Sequence, residues 1–216
     1  MNGDGYRDVA FASSAATGAR SGIDPGGASP RADVYLGSSV GLDRAFRAPP
    51  PAPGGAFLMG VGSAGDINGD GFADVLVDVG GVRAVVYLGG ADALALHRTL
   101  AAPMGASIVA GAAGDVDGDG RGDLVVVPRR SGELWWYRGG AAGLAATPEV
   151  LRDPRWAAVD AVGLPRDVDG DGFDDVVLGA PARGAVYVLH GAPTRALTRV
   201  EELPMLAPPG SALRVL

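Results

Sequence analysis

Three nine-residue acidic loops of one design recur along this chain of 216 residues. They read DINGDGFAD at 66–74, DVDGDGRGD at 115–123 and DVDGDGFDD at 167–175, and a shortened copy, NGDGYRD, occupies 2–8. Each loop places oxygen-bearing side chains at its first, third, fifth and ninth positions, and glycines at the fourth and sixth let the backbone curl tightly. Such a ring of hard oxygen ligands suits a hard cation, and calcium fits best.

The cation is predicted to be part of the fold, because the loops concentrate negative charge. Two carboxylates about 4 Å apart repel by roughly 4 kcal/mol even at an effective dielectric of 20. Three bound dications would change the net charge from −7 to about −1. The acidic composition therefore reflects the loops and gives no reason to expect a basic partner.

The sequence predicts three complete calcium sites and one truncated site. The two loops with aspartate at all four ligand positions, 115–123 and 167–175, are expected to bind most tightly, 66–74 more weakly, and 2–8 most weakly. The predicted side-chain ligands are Asp66, Asn68, Asp70 and Asp74; Asp115, Asp117, Asp119 and Asp123; Asp167, Asp169, Asp171 and Asp175; and Asn2, Asp4 and Asp8 in the shortened loop.

The residues after each loop exclude two other calcium-binding designs. An EF-hand needs a glutamate at position 12 on a helix, whereas this chain has Val77, Val126 and Leu178 there. The segments DVLVDV, DLVVVP and DVVLGAP that end or follow the loops are short β-branched runs, which predict buried strands. Nonapeptide β-rolls repeat every nine residues, which is far shorter than the period seen here.

The spacing of the loops indicates the architecture that positions them. The fifth-position aspartates Asp4, Asp70, Asp119 and Asp171 are 66, 49 and 52 residues apart, and periods near 40 to 50 residues are typical of propeller blades or solenoids. Each period contains an apolar strand, the loop, a second strand, a third strand and a more polar fourth segment, as expected for one propeller blade. The predicted third strands lie at 32–37, 84–90, 134–140 and 185–191.

These features resemble the FG-GAP repeats of integrin α-subunit β-propellers and of many bacterial secreted proteins. The resemblance rests on the loop pattern, on the apolar strand that follows it and on Gly179-Ala180-Pro181. The chain departs from the family in lacking the Phe-Gly pair in its first strands, at 55–61, 105–111 and 156–162. The resemblance implies calcium in the loop between the first and second strands, with seventh-position backbone carbonyls as further ligands: Phe72, Arg121, Phe173 and Tyr6.

We therefore expect an all-β fold, a β-propeller of four FG-GAP blades of four strands each. A single domain is expected over 1–216, with repeats at approximately 1–54, 55–103, 104–154 and 155–209. Residues 210–216 resemble a first strand. They are predicted either to close the four blades into a ring by completing the first blade, or to begin the next blade of a larger propeller of about seven.

No catalytic residue and no organic cofactor is predicted. His97 and His190 lie far apart in the sequence, and no serine sits in a nucleophile motif. Metal ligation accounts for the paired aspartates better than glycoside hydrolysis does. Arg121-Gly122-Asp123 spells the tripeptide that integrins bind, but the calcium loop alone requires Asp123. The chain is therefore expected not to be an enzyme.

The expected role is a module for adhesion or for protein or glycan interaction. The alternative is an accessory carbohydrate-binding or scaffold domain of a secreted enzyme. Residues 13–31 lengthen the first repeat where the others have short turns, and form a candidate contact site for a protein. Trp135 and Trp136 point to opposite faces of a strand, so at most one is open to a sugar.

Composition narrows the expected location and partners. The chain has no cysteine, so packing and metal must supply its stability. It has no apolar run long enough to span a membrane and no recognisable signal peptide, so membrane insertion is not expected and any export signal is expected outside this chain. Its arginines are scattered, and nucleic-acid binding is not expected. An extracellular or cell-surface location fits these features best.

Overall fold

A computed structural model describes residues 5–6, 8–13, 31–47, 58–91, 93–194 and 196–205. These residues form β-strands and short 3-10 turns, with no α-helix among them, which confirms the all-β prediction. None of the described segments is a helix that could cross a membrane. The predicted closing strand at 210–216 and nearly all of the 13–31 segment lie outside the described residues, as do Asn2 and Asp4.

The chain falls into two compact units, residues 1–63 with 71–100 and residues 64–70 with 101–216. Its four sheets are antiparallel, and in each sheet the strands follow one another in chain order. The first sheet has three described strands: β1 (Val9–Ser13), β2 (Arg31–Ser38) and β3 (Gly41–Arg47).

Each of the other three sheets has four strands, as predicted for each repeat. The second contains β4 (Leu58–Gly65), β5 (Asp74–Val79), β6 (Arg83–Leu88) and β7 (Ala95–Ala101). The third contains β8 (Ile108–Gly114), β9 (Asp123–Pro128), β10 (Glu133–Tyr137) and β11 (Glu149–Arg152). The fourth contains β12 (Ala161–Val162), β13 (Val176–Ala180), β14 (Ala185–Leu189) and β15 (Val200–Pro204).

The second and third strands of the last three sheets build most of the core, because nearly all of their residues are buried or half-buried. Every residue of β9 is buried, and β5 has one half-buried residue in six. Burying a Val or Leu side chain contributes roughly 1.5–3 kcal/mol, so a β-branched run is most stable inside such a strand. In the second unit this core includes Val125, Leu134, Trp136, Leu178 and Tyr187.

The predicted first strand at 156–162 is wrong for most of its length. A 3-10 turn occupies Pro154–Ala158, and only Ala161–Val162 pair with β13. Asp153 caps the turn by accepting the Arg155 backbone N–H at 2.8 Å, and proline suits the first position of a helical turn. The turn places Trp156 in the core, edge-on to Tyr187 with ring centroids 5.5 Å apart.

Candidate metal centre

The three complete acidic loops connect the first and second strands of their sheets, where the family resemblance places calcium. The glycines at the fourth and sixth positions of these three loops have left-handed backbone angles, which L-residues rarely adopt. These φ values are +72° and +88° for Gly69 and Gly71, +75° and +84° for Gly118 and Gly120, and +79° and +93° for Gly170 and Gly172. Gly5, the sixth-position residue of the shortened loop, has φ +88°.

In loop 115–123 the first aspartate organises the turn. One oxygen of Asp115 accepts the backbone N–H of Asp119 and the other accepts that of Gly120, both at 2.9 Å. The fold brings oxygens of Asp115, Asp117 and Asp119 within 4.8 Å of one another. Three predicted ligands therefore converge on one point.

Loop 167–175 repeats this geometry. Asp167 accepts the backbone N–H groups of Gly170, Asp171 and Gly172 at 2.7, 3.1 and 2.9 Å. Oxygens of Asp167, Asp169 and Asp171 again lie within 4.8 Å of one another. The same turn therefore builds two equivalent acidic clusters from two copies of the sequence motif.

Loop 66–74 has the same backbone turn but a different third position. Asp66 accepts the backbone N–H groups of Gly69 and Asp70 at 2.7 and 3.1 Å. Asn68 donates its side-chain amide to Asp70 at 2.7 Å, so an internal hydrogen bond replaces the repulsion between two carboxylates. This loop has less need of a cation than the two loops with an aspartate at the third position.

The residues present fit a hard cation, and one atom in particular supports this. Oδ1 of Asp117 is buried and makes no hydrogen bond in the described part of the chain, while Oδ2 lies 2.6 Å from a guanidinium nitrogen of Arg138. An unpaired buried acceptor costs roughly 1–3 kcal/mol. A cation held by Asp115, Asp117 and Asp119 would satisfy this oxygen with the ligand type that calcium prefers.

The ninth-position aspartates have a structural role that sequence reasoning missed. Asp74, Asp123 and Asp175 have no solvent-exposed surface. Each accepts the backbone N–H of a glycine just after the third strand. The pairs are Asp74 with Gly89 and Asp123 with Gly139, both at 2.8 Å, and Asp175 with Gly191 at 2.9 Å; Asp8 bonds Gly37 in the same way at 2.9 Å. These carboxylates tie each loop to its third strand, and their ligation of metal stays a prediction.

Asp123 also accepts the indole N–H of Trp136 at 3.1 Å. The pKa of this carboxyl is raised to about 7, chiefly by burial. The charges of Asp117 and Asp119 raise it further, and the hydrogen bonds from Gly139 and Trp136 partly oppose the rise. Ionisation of Asp123 is therefore unfavourable unless positive charge lies nearby. A cation in the loop would supply that charge.

We expect Asp175→Ala to lower the free energy of unfolding by about 2 kcal/mol, with calcium or with chelator present. The substitution leaves the Gly191 N–H without its acceptor, and this hydrogen bond is buried. Asp171→Ala is the matched control, because Asp171 is exposed and its carboxylate accepts the backbone N–H of Phe173 within the loop. Urea denaturation in chelator should separate the two variants, and equal losses would contradict the structural role of Asp175.

The loops also join consecutive repeats through their backbone. The carbonyl of Asp66 accepts the N–H of Gly122 at 2.7 Å, and that of Ile67 accepts the N–H of Gly140 at 3.0 Å. One repeat later, the carbonyls of Asp115 and Val116 bond the N–H groups of Asp174 and Ala192 at 3.1 and 2.8 Å. Loop 115–123 is therefore at once a candidate metal site and a joint to the next repeat.

Comparison with known families confirms the resemblance. Residues 159–189 match the sequence model of the FG-GAP repeat. The matched segment contains the whole of loop 167–175 and the strands β12, β13 and β14. No curated protein matched the chain. The chain thus carries an FG-GAP repeat, and its all-β structure fits a propeller-like fold.

Proposed function

We propose that this chain is a calcium-stabilised, non-catalytic β-propeller module that binds a protein or glycan partner outside the cell or at its surface. The observation that carries the proposal is the acidic cluster of loop 115–123, with its buried, unpaired Asp117 oxygen. The equivalent cluster in loop 167–175 lies within the segment that matches the FG-GAP repeat.

Calcium, when bound, supplies positive charge that relieves repulsion among the loop carboxylates. The protein holds the carboxylates in place through the backbone bonds to Asp115 and Asp167. Because Asp115 and Val116 also bond the following repeat, an ordered loop keeps two neighbouring sheets together. Metal binding is in this way coupled to the stability of the repeat array.

The four sheets are proposed to be consecutive blades of a propeller. Each is an antiparallel sheet with its strands in chain order, which is the construction of a blade. The first and second loop residues join one sheet to the next by the same hydrogen bonds in two successive repeats.

Calorimetric titration with calcium tests the proposed sites one at a time. Asp119→Asn and Asp171→Asn remove a carboxylate from loops 115–123 and 167–175, and each is expected to weaken one calcium site by about tenfold or more. Asp160→Asn is the matched control, because Asp160 is an exposed aspartate outside the loops that pairs with Arg129. Calcium binding that is unchanged in both loop variants would contradict the proposal.

A glycan is the second candidate partner, and one surface feature favours it. An open groove of about 460 Å³ is lined by Glu133, Arg152 and Asp153, among other residues. The half-buried Trp135 donates its indole N–H to Glu133 at 2.9 Å. Trp135 does not itself line the groove, but its indole N–H holds Glu133, a polar group of the kind that orients a bound sugar.

Trp135→Ala should weaken binding to a glycan array if this groove is the site, because it releases the Glu133 carboxylate, and should leave calcium binding intact. Trp136 is not a candidate, since only 1% of it is exposed. An array on which the wild-type chain and Trp135→Ala give the same signal would show that Trp135 takes no part in binding and would favour a protein partner.

A further inference from the structure

His190 is a buried histidine whose ring nitrogens have no hydrogen-bond partner in the described residues. It follows strand β14, and only 4% of it is exposed. Its Nδ1 lies 3.1 Å from Oδ2 of Asp169 and 3.5 Å from Oδ1 of Asp175. The ring is thus aimed at two carboxylates of loop 167–175.

This arrangement has the dimensions of a small metal site. Ligand atoms of Asp169, Asp175 and His190 all lie within 4.8 Å of one another. Ligands bound to zinc at about 2.0–2.1 Å in tetrahedral geometry are roughly 3.3 Å apart. The two distances from Nδ1 to the carboxylate oxygens lie on either side of that value. A metal ion would also satisfy a buried nitrogen that otherwise costs free energy.

We propose that Asp169, Asp175 and His190 form a site for a borderline divalent transition metal ion, zinc above all. Imidazole nitrogen and carboxylate oxygen are both ligand types that such ions accept, with water in the fourth position. The site rests on the proposed calcium function only in sharing carboxylates of loop 167–175. Zinc in this site would compete with calcium for Asp169 and Asp175, whereas loop 115–123 would bind calcium without that competition.

The opposite edge of the imidazole supports a ligand role. Nε2 of His190 lies 3.7 Å from Oε2 of Glu201. Histidine ligands usually donate their second ring N–H to a carboxylate or carbonyl, which fixes the ring orientation. The Glu201 side chain is 53% exposed and can move the few tenths of an ångström that a hydrogen bond needs.

The other repeats lack this chemistry at the equivalent place. The residue before the glycine that follows the third strand is Leu88 in the second repeat, Arg138 in the third and His190 in the fourth. Arg138 instead contacts the third-position carboxylate of Asp117 as a cation, and a guanidinium does not ligate metals. Leucine has no donor atom. Zinc is therefore expected at one repeat of the described chain.

A metal ion in this site must displace the Arg199 side chain from Asp169. A guanidinium nitrogen of Arg199 lies 2.8 Å from Oδ2 of Asp169, and its side chain is 68% exposed. Exposed ion pairs contribute little stability, so a dication can displace this side chain from Asp169. The displaced guanidinium remains in solvent.

Titration of the calcium-free chain with zinc, and with cobalt as a spectroscopic probe, tests the proposal. The wild-type chain is expected to bind one equivalent of zinc, and cobalt is expected to give the visible absorption of a tetrahedral site. His190→Leu, which copies the residue of the second repeat, should weaken zinc binding at least ~100-fold. His97→Leu removes the other histidine and should leave zinc binding unchanged.

A second variant keeps the test valid if His190→Leu disturbs the core. Asp169→Asn changes a side chain on the loop surface and should also weaken zinc binding strongly. Calcium titration of the same proteins should still show the site in loop 115–123. A failure of the zinc proposal can therefore be distinguished from a failure of the calcium proposal. Zinc affinity that is unchanged in either His190→Leu or Asp169→Asn would overturn the inference.

Discussion

Replacing Gly139 by alanine is expected to lower the free energy of unfolding by at least ~3 kcal/mol. Gly139 lies where loop 115–123 meets the preceding loop. A Cβ atom there would lie 2.5 Å from the carbonyl oxygen of Gly122, 2.7 Å from that of Ile67 and 2.9 Å from Cβ of Arg121. Two of these atoms belong to the backbone, so no side-chain rotation can relieve the overlap.

The backbone must move instead, and two hydrogen bonds depend on its position. Gly139 donates its N–H to the buried Asp123, and Gly140 donates to the carbonyl of Ile67. The added methyl group therefore disturbs both the hydrogen bond from Gly139 to Asp123 and the hydrogen bond from Gly140 to Ile67. Equilibrium denaturation in urea, with calcium present, measures the loss.

Gly62→Ala is the matched control. Gly62 lies in strand β4 and is exposed, and a Cβ atom added there would have no atom of a non-adjacent residue within 4 Å. Its replacement should change stability by no more than about 0.5 kcal/mol. If Gly139→Ala were as stable as Gly62→Ala, the close approach of residue 139 to the carbonyl oxygens of Gly122 and Ile67 would not constrain the fold.

The features that the sequence predicted correctly are local ones. The second strands were recognisable because β-branched residues fill both faces of a buried strand, as in β9. The acidic loops were recognisable because each turn needs glycine at two fixed positions, and Gly118 and Gly120 do have left-handed angles. The prediction that adjacent residues of β10 point to opposite faces was also correct, since Trp136 is buried and Trp135 is half-buried.

The features that escaped prediction depend on contacts between distant residues. Nothing within loop 167–175 reveals that Asp175 bonds Gly191, although an aspartate and a glycine recur at nearly the same spacing in the other repeats. The apolar spacing of 156–162 suggested a strand, but Pro154 and the Asp153 cap favoured a turn that buries Trp156. His190 is separated from its carboxylates by the whole of β13 and β14, so only the register of the sheet could bring them together.

The central claim is that calcium held by the acidic loops stabilises this fold. Each calcium ion that binds only to the folded chain should raise the free energy of unfolding by about 2.7 kcal/mol when free calcium is 100 times the dissociation constant. The clusters of Asp115, Asp117 and Asp119 and of Asp167, Asp169 and Asp171 would together add roughly 5 kcal/mol. This is the largest effect that we expect for any single change of conditions.

Thermal unfolding followed by circular dichroism, with calcium and then with chelator at equal ionic strength, is the most direct test. The account predicts a melting temperature that is higher by about 10–20 °C in calcium, and a much smaller shift in a chain that carries both Asp119→Asn and Asp171→Asn. Unfolding transitions of the wild-type chain that coincide in calcium and in chelator would contradict it.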